Sequence, residues 1–472
     1  MNSYVRRVPL LATLLFSVVV MIYFFFKIPG YGYSNIERSC YIVVYFYSVM
    51  MLLCLCYIVA RPDFYVFEPI TILWFLFFGV YGLQPMVDLL DRSTSLGGIS
   101  ALRGGIKCTV IVAVSFLFLC YFYYKQKTKV TLNRRFESCK TVYVKYKNAN
   151  QIATFNTIIW IISGFLFFLY LYKVRGLSLR YILSAGTSGE FNSAQVSSTP
   201  LGFLSNFACT MIAAFMYVLY YGKNRAIKIG MGIATLILFV LNGYRFIIVV
   251  YALALMSHYY ISRHKKPKMI TLGIAFTLLL VMAAVLASAR NGLRHGEGWN
   301  VAEISIEMIL SPFESNFILY RPLWRMVELY PSQYSYTFGY QMFFYTLILL
   351  IPRAVWPGKP LPPARDVLMN LYNNKAIAGT QAFSSIGEFY QEFGIIGCLF
   401  FMSLTGYICG RVTRLYNKEI ITDNDLILYS MIFPIVFSLT NGGYTPNNFY
   451  MVLFALSPII ATKLLVPEII DE

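Results

Sequence analysis

The sequence predicts an all-α polytopic membrane protein of about twelve transmembrane helices, with one long outer loop between helices nine and ten. Three observations carry that expectation. Of 472 residues, 58% are apolar and only 13% charged, and mean hydropathy is +0.62. A water-soluble domain of that composition would expose more apolar surface than water tolerates. The apolar residues fall in runs of roughly 20, the length that crosses about 30 Å of hydrocarbon at about 1.5 Å per residue. Basic residues gather in alternate connections, as they do in cytoplasmic loops.

The elements follow in order. The run at 8–26 comes after Arg6 and Arg7 and leads into Lys27-Ile-Pro-Gly, with no small-residue cleavage site, so it reads as a retained first helix. Further runs lie at 40–60, 66–90, 106–124, 152–174, 201–221, 229–242, 246–262, 270–288, 385–410, 425–441 and 447–463. The pair 229–242 and 246–262 is split by Asn242-Gly243-Tyr244-Arg245, a polar sequence best placed at a membrane surface. With the N-terminus cytoplasmic, the inner segments hold eight bases in 125–147, three in 223–228, four in 263–268 and three in 411–418. Residues 125–150 are then a basic cytoplasmic loop, both termini are cytoplasmic, and 1–472 is a single domain of the bacterial inner membrane. The net charge of +18 needs no nucleic-acid partner, because such clusters face anionic lipid.

Residues 290–384 fall on the outer side. The apolar stretch 340–351 is too short to span and, if it crossed, Arg411, Arg414 and Lys418 would face outward. It is expected as an interfacial or re-entrant piece among short helices of this loop. Loops of that length usually carry function.

Cysteines and histidines add little. Cys54, Cys56, Cys120, Cys209, Cys398 and Cys409 sit inside apolar runs as small hydrophobes, and no spacing suggests zinc. Only His295 among the three histidines falls outside, which leaves a secondary candidate base and no metal set.

The outer loop is rich in arginine: Arg290, Arg294, Arg321, Arg325, Arg353 and Arg365. Guanidinium grips phosphate oxygens through a fixed fork of donors and keeps its charge. If 314–330 is helical, Arg321 and Arg325 share a face and could clamp a diphosphate. The plainer alternative pairs Arg325 with Glu328 and Arg321 with a lipid headgroup. Arg290 and Arg294 repeat the spacing at the end of the ninth helix, where arginines also snorkel. Arg245 opens an apolar helix on the outer side, where it has no topological use, and so points to anion contact.

The block Ile351-Pro-Arg-Ala-Val-Trp-Pro-Gly-Lys-Pro360 forbids helix and predicts a rigid, extended path. It presents Arg353 to an anion and Trp356 to a sugar face or the interface. In Ser385-Ile-Gly-Glu388, followed by Glu392, the two carboxylates lie one turn apart at the mouth of helix ten. Capping by Ser384 or Ser385 and the helix dipole explain acids there, yet Glu388 is also the first candidate general base.

Asn242-Gly-Tyr-Arg245, Ala289-Arg290, Ser311-Pro-Phe-Glu314, the proline–tryptophan block and Ser385-Ile-Gly387, in that order, resemble the Wzy-type polymerases of O-antigen and related polysaccharides. The resemblance covers about 240–395. It implies a membrane glycosyltransferase related to the GT-C folds. Such an enzyme moves a growing glycan from undecaprenyl pyrophosphate to a new lipid-linked repeat unit, for an O-antigen or a capsule. The lipid-linked oligosaccharide and the bilayer are the expected partners, with a chain-length regulator protein beside them. Arg245 and Arg290 match the family pattern; Arg321, Arg325, Arg353, Trp356, Glu388 and His295 come from local chemistry.

Guanidiniums can stabilise the charge that builds on a departing pyrophosphate. The single Asp-x-Asp pair, Asp423-Asn424-Asp425, falls on the cytoplasmic side at a helix start, so the expected enzyme needs neither metal nor cofactor. An O-antigen ligase shares the architecture and the donor, and remains the alternative. A lipid-linked oligosaccharide flippase is disfavoured by the long outer loop and the nearly charge-free spans.

Overall fold

The computed structural model describes residues 3–29, 33–61, 64–91, 95–96, 99–127, 142–144, 148–175, 202–242, 245–263, 267–268, scattered positions in 271–281, 317–349, 351, 355–360, 367, 369–371, 384–415, 420–443 and 445–466. Helices dominate. They are α1 Ser3–Phe26, α2 Asn35–Ala60, α3 Pro69–Phe78 continuing through a π turn into α4 Gln84–Leu90, and α5 Leu102–Gln126. Next come α6 Ala149–Arg175, α7 Phe207–Tyr221, α8 Arg225–Asn242 and α9 Arg245–Ser262. The region between α9 and α12 contributes α10 Tyr320–Leu329 and a π turn Tyr340–Phe344 leading into α11 Tyr345–Leu349; then come α12 Ser384–Leu415, α13 Asp423–Gly442 and α14 Thr445–Leu465.

Eight described segments are long and apolar enough to cross a membrane, and Leu10–Phe26, Ile247–Ser262 and Tyr340–Leu349 are shorter apolar helices. Their outward faces agree with a lipid solvent. On α8, Ile229, Ile233 and Ile237 form an exposed stripe at helical spacing. The chain is therefore an all-α polytopic membrane protein. The expected run at 270–288 lies mostly outside the described residues.

Two cores form where helices pack. One joins α2, α3, α5, α10 and α12; the other joins α6, α7, α9, α13 and α14. In the first, α5 and α12 approach closely along Gly406 and Gly410, spaced four apart. A Cβ on Gly410 would sit 2.5 Å from the Tyr123 carbonyl oxygen, so the backbones touch as small residues allow between membrane helices.

At one end of the bundle a buried network ties α3, α5 and α12. Lys127 Nζ lies 2.7 Å from Glu68 Oε1, the Tyr123 hydroxyl donates to Glu68 Oε2 at 2.9 Å, and Thr413 Oγ1 is 3.2 Å from that hydroxyl. Nearby, Arg414 donates to the Gln126 carbonyl. Two small sheets were not expected: β1 Ser95–Leu96 pairs antiparallel with β2 Ile99–Ser100, and β3 Val142–Val144 pairs parallel with β4 Ile420–Thr422. The second joins the 125–150 loop to the strand that precedes α13.

Of the helix expected over 314–330, the structure describes α10. A turn at Ile318–Leu319 precedes it, α10 starts at Tyr320, and residues before 317 lie outside the description. The break has a plain cause: Pro322 is tolerated within a helix's first turn but not deeper.

Candidate active site

The site is best built from the start of α12. Ser384 takes a left-handed backbone, φ 62°, rare for a residue with a side chain. Its hydroxyl bonds Tyr81, and that of Ser385 donates to the carbonyls of Leu439 at 2.7 Å and Thr440 at 3.3 Å. Both hydroxyls thus tie α12 to neighbouring helices. A small cleft of about 10 Å³ beneath them is lined by Leu76, Tyr81, Leu319, Ile386 and Thr440.

A second device breaks α12 at Gly394, where φ 62° and ψ −147° are non-helical. That combination is almost confined to glycine, and a Cβ would also meet the Tyr336 ring at 2.8 Å. The first ten residues, Glu388 among them, therefore form a separate short helix ahead of the long one.

The two carboxylates on this short helix differ. Glu392 is fully buried and accepts backbone N–H bonds from Gly339 at 2.5 Å, Gln341 at 3.1 Å and Met342 at 3.2 Å. It caps the π turn and α11, a negative charge on the positive end of another segment. The helix-dipole explanation holds for Glu392, but the helix is not its own. Glu388 is 1% exposed and lies past the first turn of α12, too deep for capping. Beside Glu392, Gln391 Nε2 donates to Gln341 Oε1 at 2.9 Å.

Arg321 and Arg325 both hold carboxylates. Arg321 gives Asp88 Oδ2 its Nε at 3.0 Å and Nη2 at 2.5 Å, while Gln84 Nε2 supplies Oδ1 at 3.0 Å. The Tyr320 hydroxyl donates to the same oxygen as Arg321. Burial, then the Asp88 charge, hold that phenol well above its ordinary range, so it stays a donor. Arg325 Nη1 pairs with Glu328 at 2.8 Å, the plainer of its two sequence readings. Asp88 was missed, though a lone carboxylate at the end of an apolar run is a signal in itself.

In the proline–tryptophan block the path is not extended throughout. Lys359 N–H bonds the Trp356 carbonyl at 3.1 Å, closing a turn with Pro357 and Gly358 at its centre, the residues such turns favour. Trp356 is 38% exposed. Lys359 is buried and donates to the Leu349 and Ile351 carbonyls at 3.3 and 3.0 Å, neutralising the negative end of α11. Arg245 is the first residue of α9, so the Asn-Gly-x-Arg motif opens that helix as expected. Its side chain, and all of Arg290, Arg294, His295, Arg353 and Arg365, lie outside the described residues.

The Asp-x-Asp pair is occupied by the fold. Asp425 forms a capping box with Thr422, Asp423 accepts the Tyr220 and Tyr221 hydroxyls at 2.7 and 2.8 Å, and Asn424 accepts that of Tyr217 at 2.8 Å. Among the described residues no group of three His, Cys, Asp or Glu side chains could hold a metal.

The sequence model of the family O-antigen polysaccharide polymerase Wzy matches residues 12–466. The chain belongs to this family. The match takes in every described helix but the first turns of α1, so the N-terminal third, which showed only hydropathy on inspection, is part of the same Wzy architecture. Neither the curated proteins nor the solved structures compared with the chain give a match. A multi-pass Wzy polymerase acts on polysaccharide units at the membrane, and the broken start of α12 is where this one keeps a buried carboxylate.

Proposed function

We propose that the protein joins undecaprenyl-pyrophosphate-linked repeat units, transferring the growing glycan to the acceptor sugar of a new unit. Glu388 takes the acceptor proton. Arg245 and Arg290 stabilise the departing pyrophosphate, Arg321, Arg325 and Arg353 assist, and Trp356 and His295 contact sugar. The observation that carries the reading is the burial of Glu388, 1% exposed, on the short first part of α12 that the break at Gly394 sets off from the long helix.

The proposed topology has twelve helices, both termini in the cytoplasm, and 290–384 outside with 340–349 re-entrant. Contacts between helix ends support it. Glu68, Lys127 and Thr413 meet at ends that strict alternation puts inside; Asp88 meets Arg321, and Tyr81 meets Ser384, at ends it puts outside. Catalysis is proposed to be metal-independent, and a chain-length regulator to act alongside.

The test is extension of lipid-linked repeats by purified protein with EDTA present. Arg245→Ala is expected to lose about 100- to 1000-fold in rate, and Arg245→Lys to recover only part because the fork is gone. Glu388→Gln is expected to abolish extension at normal protein levels. Wild-type polymer ladders from Arg245→Ala and Glu388→Gln would move the active site elsewhere.

A further inference from the structure

Two side chains beside Glu388 carry an incomplete pattern of hydrogen bonds. Gln341 and Gln391 are 0% and 1% exposed. The single bond between their amides leaves Gln341 Nε2 and Gln391 Oε1 without a partner. One unused donor and one unused acceptor therefore stand side by side in a buried place, where such groups are costly unless something completes them.

We propose that this amide pair is a hydroxyl-binding subsite for the acceptor sugar, an inference that rests on the polymerase reading above. The chemistry selects the class of ligand. A hydroxyl accepts one hydrogen bond and donates another, so it closes the ring between Nε2 and Oε1. A phosphate, which only accepts, would satisfy Gln341 and leave Gln391; a cation would do the reverse. Exchanging oxygen and nitrogen on both amides inverts the roles and leaves the same requirement.

The surroundings hold the pair in register. Gln341 opens the π turn, and its own backbone N–H is fixed by Glu392 Oε1 at 3.1 Å. Gln391 lies three residues beyond Glu388 on the short first part of α12, so their side chains are neighbours on one helix surface. A hydroxyl held by the amides is thereby brought beside the carboxylate proposed to take its proton. On the turn and α11 that follow Gln341, Phe343, Phe344 and Leu347 face outward. The segment is anchored by Glu392, by the Lys359 bonds to Leu349 and Ile351, and by the Tyr450 hydroxyl bond to the Thr346 carbonyl at 3.0 Å.

The experiment compares wild type with Gln391→Met and Gln341→Met, which keep length and remove the amide. The full chain is reconstituted in lipid and probed with the lipid-free oligosaccharide released from the organism's own lipid-linked repeat. Binding affinity, the KM for acceptor repeat, kcat and the thermal midpoint are all read. At least tenfold weaker oligosaccharide binding and a matching rise in acceptor KM, with kcat and the thermal midpoint little changed, is the expected result. Unchanged binding and KM in either folded variant overturns the subsite. If the midpoint falls as well, the pair binds an internal water only. Should one variant fail to accumulate, the other decides. Tight oligosaccharide binding by a wild-type protein that makes no polymer would sink the polymerase reading while leaving the subsite standing.

Discussion

The most informative single contacts are those that assign a charge to the framework rather than to substrate. Glu392 and Asp88 are both buried carboxylates with several donors each. Replacing Glu392 by glutamine keeps one oxygen but loses the charge that faces three N–H groups. It should loosen the 340–349 segment and lower stability by about 1–3 kcal/mol. Glu388→Gln should abolish extension in protein that still folds and reaches the membrane. Ladder length read beside membrane levels checks this, and wild-type ladders from Glu388→Gln would refute its role. For Asp88, the cost of breaking a buried pair, about 3–5 kcal/mol, must be discounted because Arg321 keeps 19% of its side-chain surface exposed. Asp88→Asn should destabilise, and Asp88→Asn with Arg321→Gln should destabilise less than the sum of the singles, a coupling that a double-mutant cycle measures.

Among the elements, apolar run length made most helices legible: eleven of the runs read from sequence coincide with described helices, because a span must be long and continuous to cross lipid. The breaks were less legible. Gly394 sits in Glu392-Phe-Gly-Ile-Ile, which reads as ordinary helix until Tyr336, far away in sequence, occupies the space a Cβ would need. The Asp88–Arg321 pair spans 233 residues, and no periodicity reports a partner at that range. Strands of two or three residues inside charged loops leave no pattern to find. The turn at Trp356-Pro-Gly-Lys359 was legible in its residue types and was obscured by the prolines around it. Close packing of α5 on α12 gives an element-level prediction. Gly410→Leu should force the helices apart and reduce membrane levels of folded protein, whereas Gly230→Leu on α8, with open space around it, should not. Equal yields would show that the contact at Tyr123 is dispensable.

At the scale of the whole molecule, the proposed sidedness is checked with single cysteines introduced near Arg365 and near Lys418. Impermeant thiol reagents should label the first from outside and the second only after the membrane is opened. Labelling of both from one side would break the alternation on which the outer placement of α10 and α11 depends. The β3–β4 ladder has a separate consequence for biogenesis. Its strands are parallel and come from the first and last thirds of the chain. At roughly 5–20 residues per second of synthesis, Val142–Val144 waits tens of seconds, on the face proposed to be cytoplasmic, before Ile420–Thr422 emerges to meet it. Until then its backbone edge is open to other nascent chains or chaperones. The last three helices thus finish the protein in two senses: they complete the bundle, and they close an edge that the ribosome left exposed.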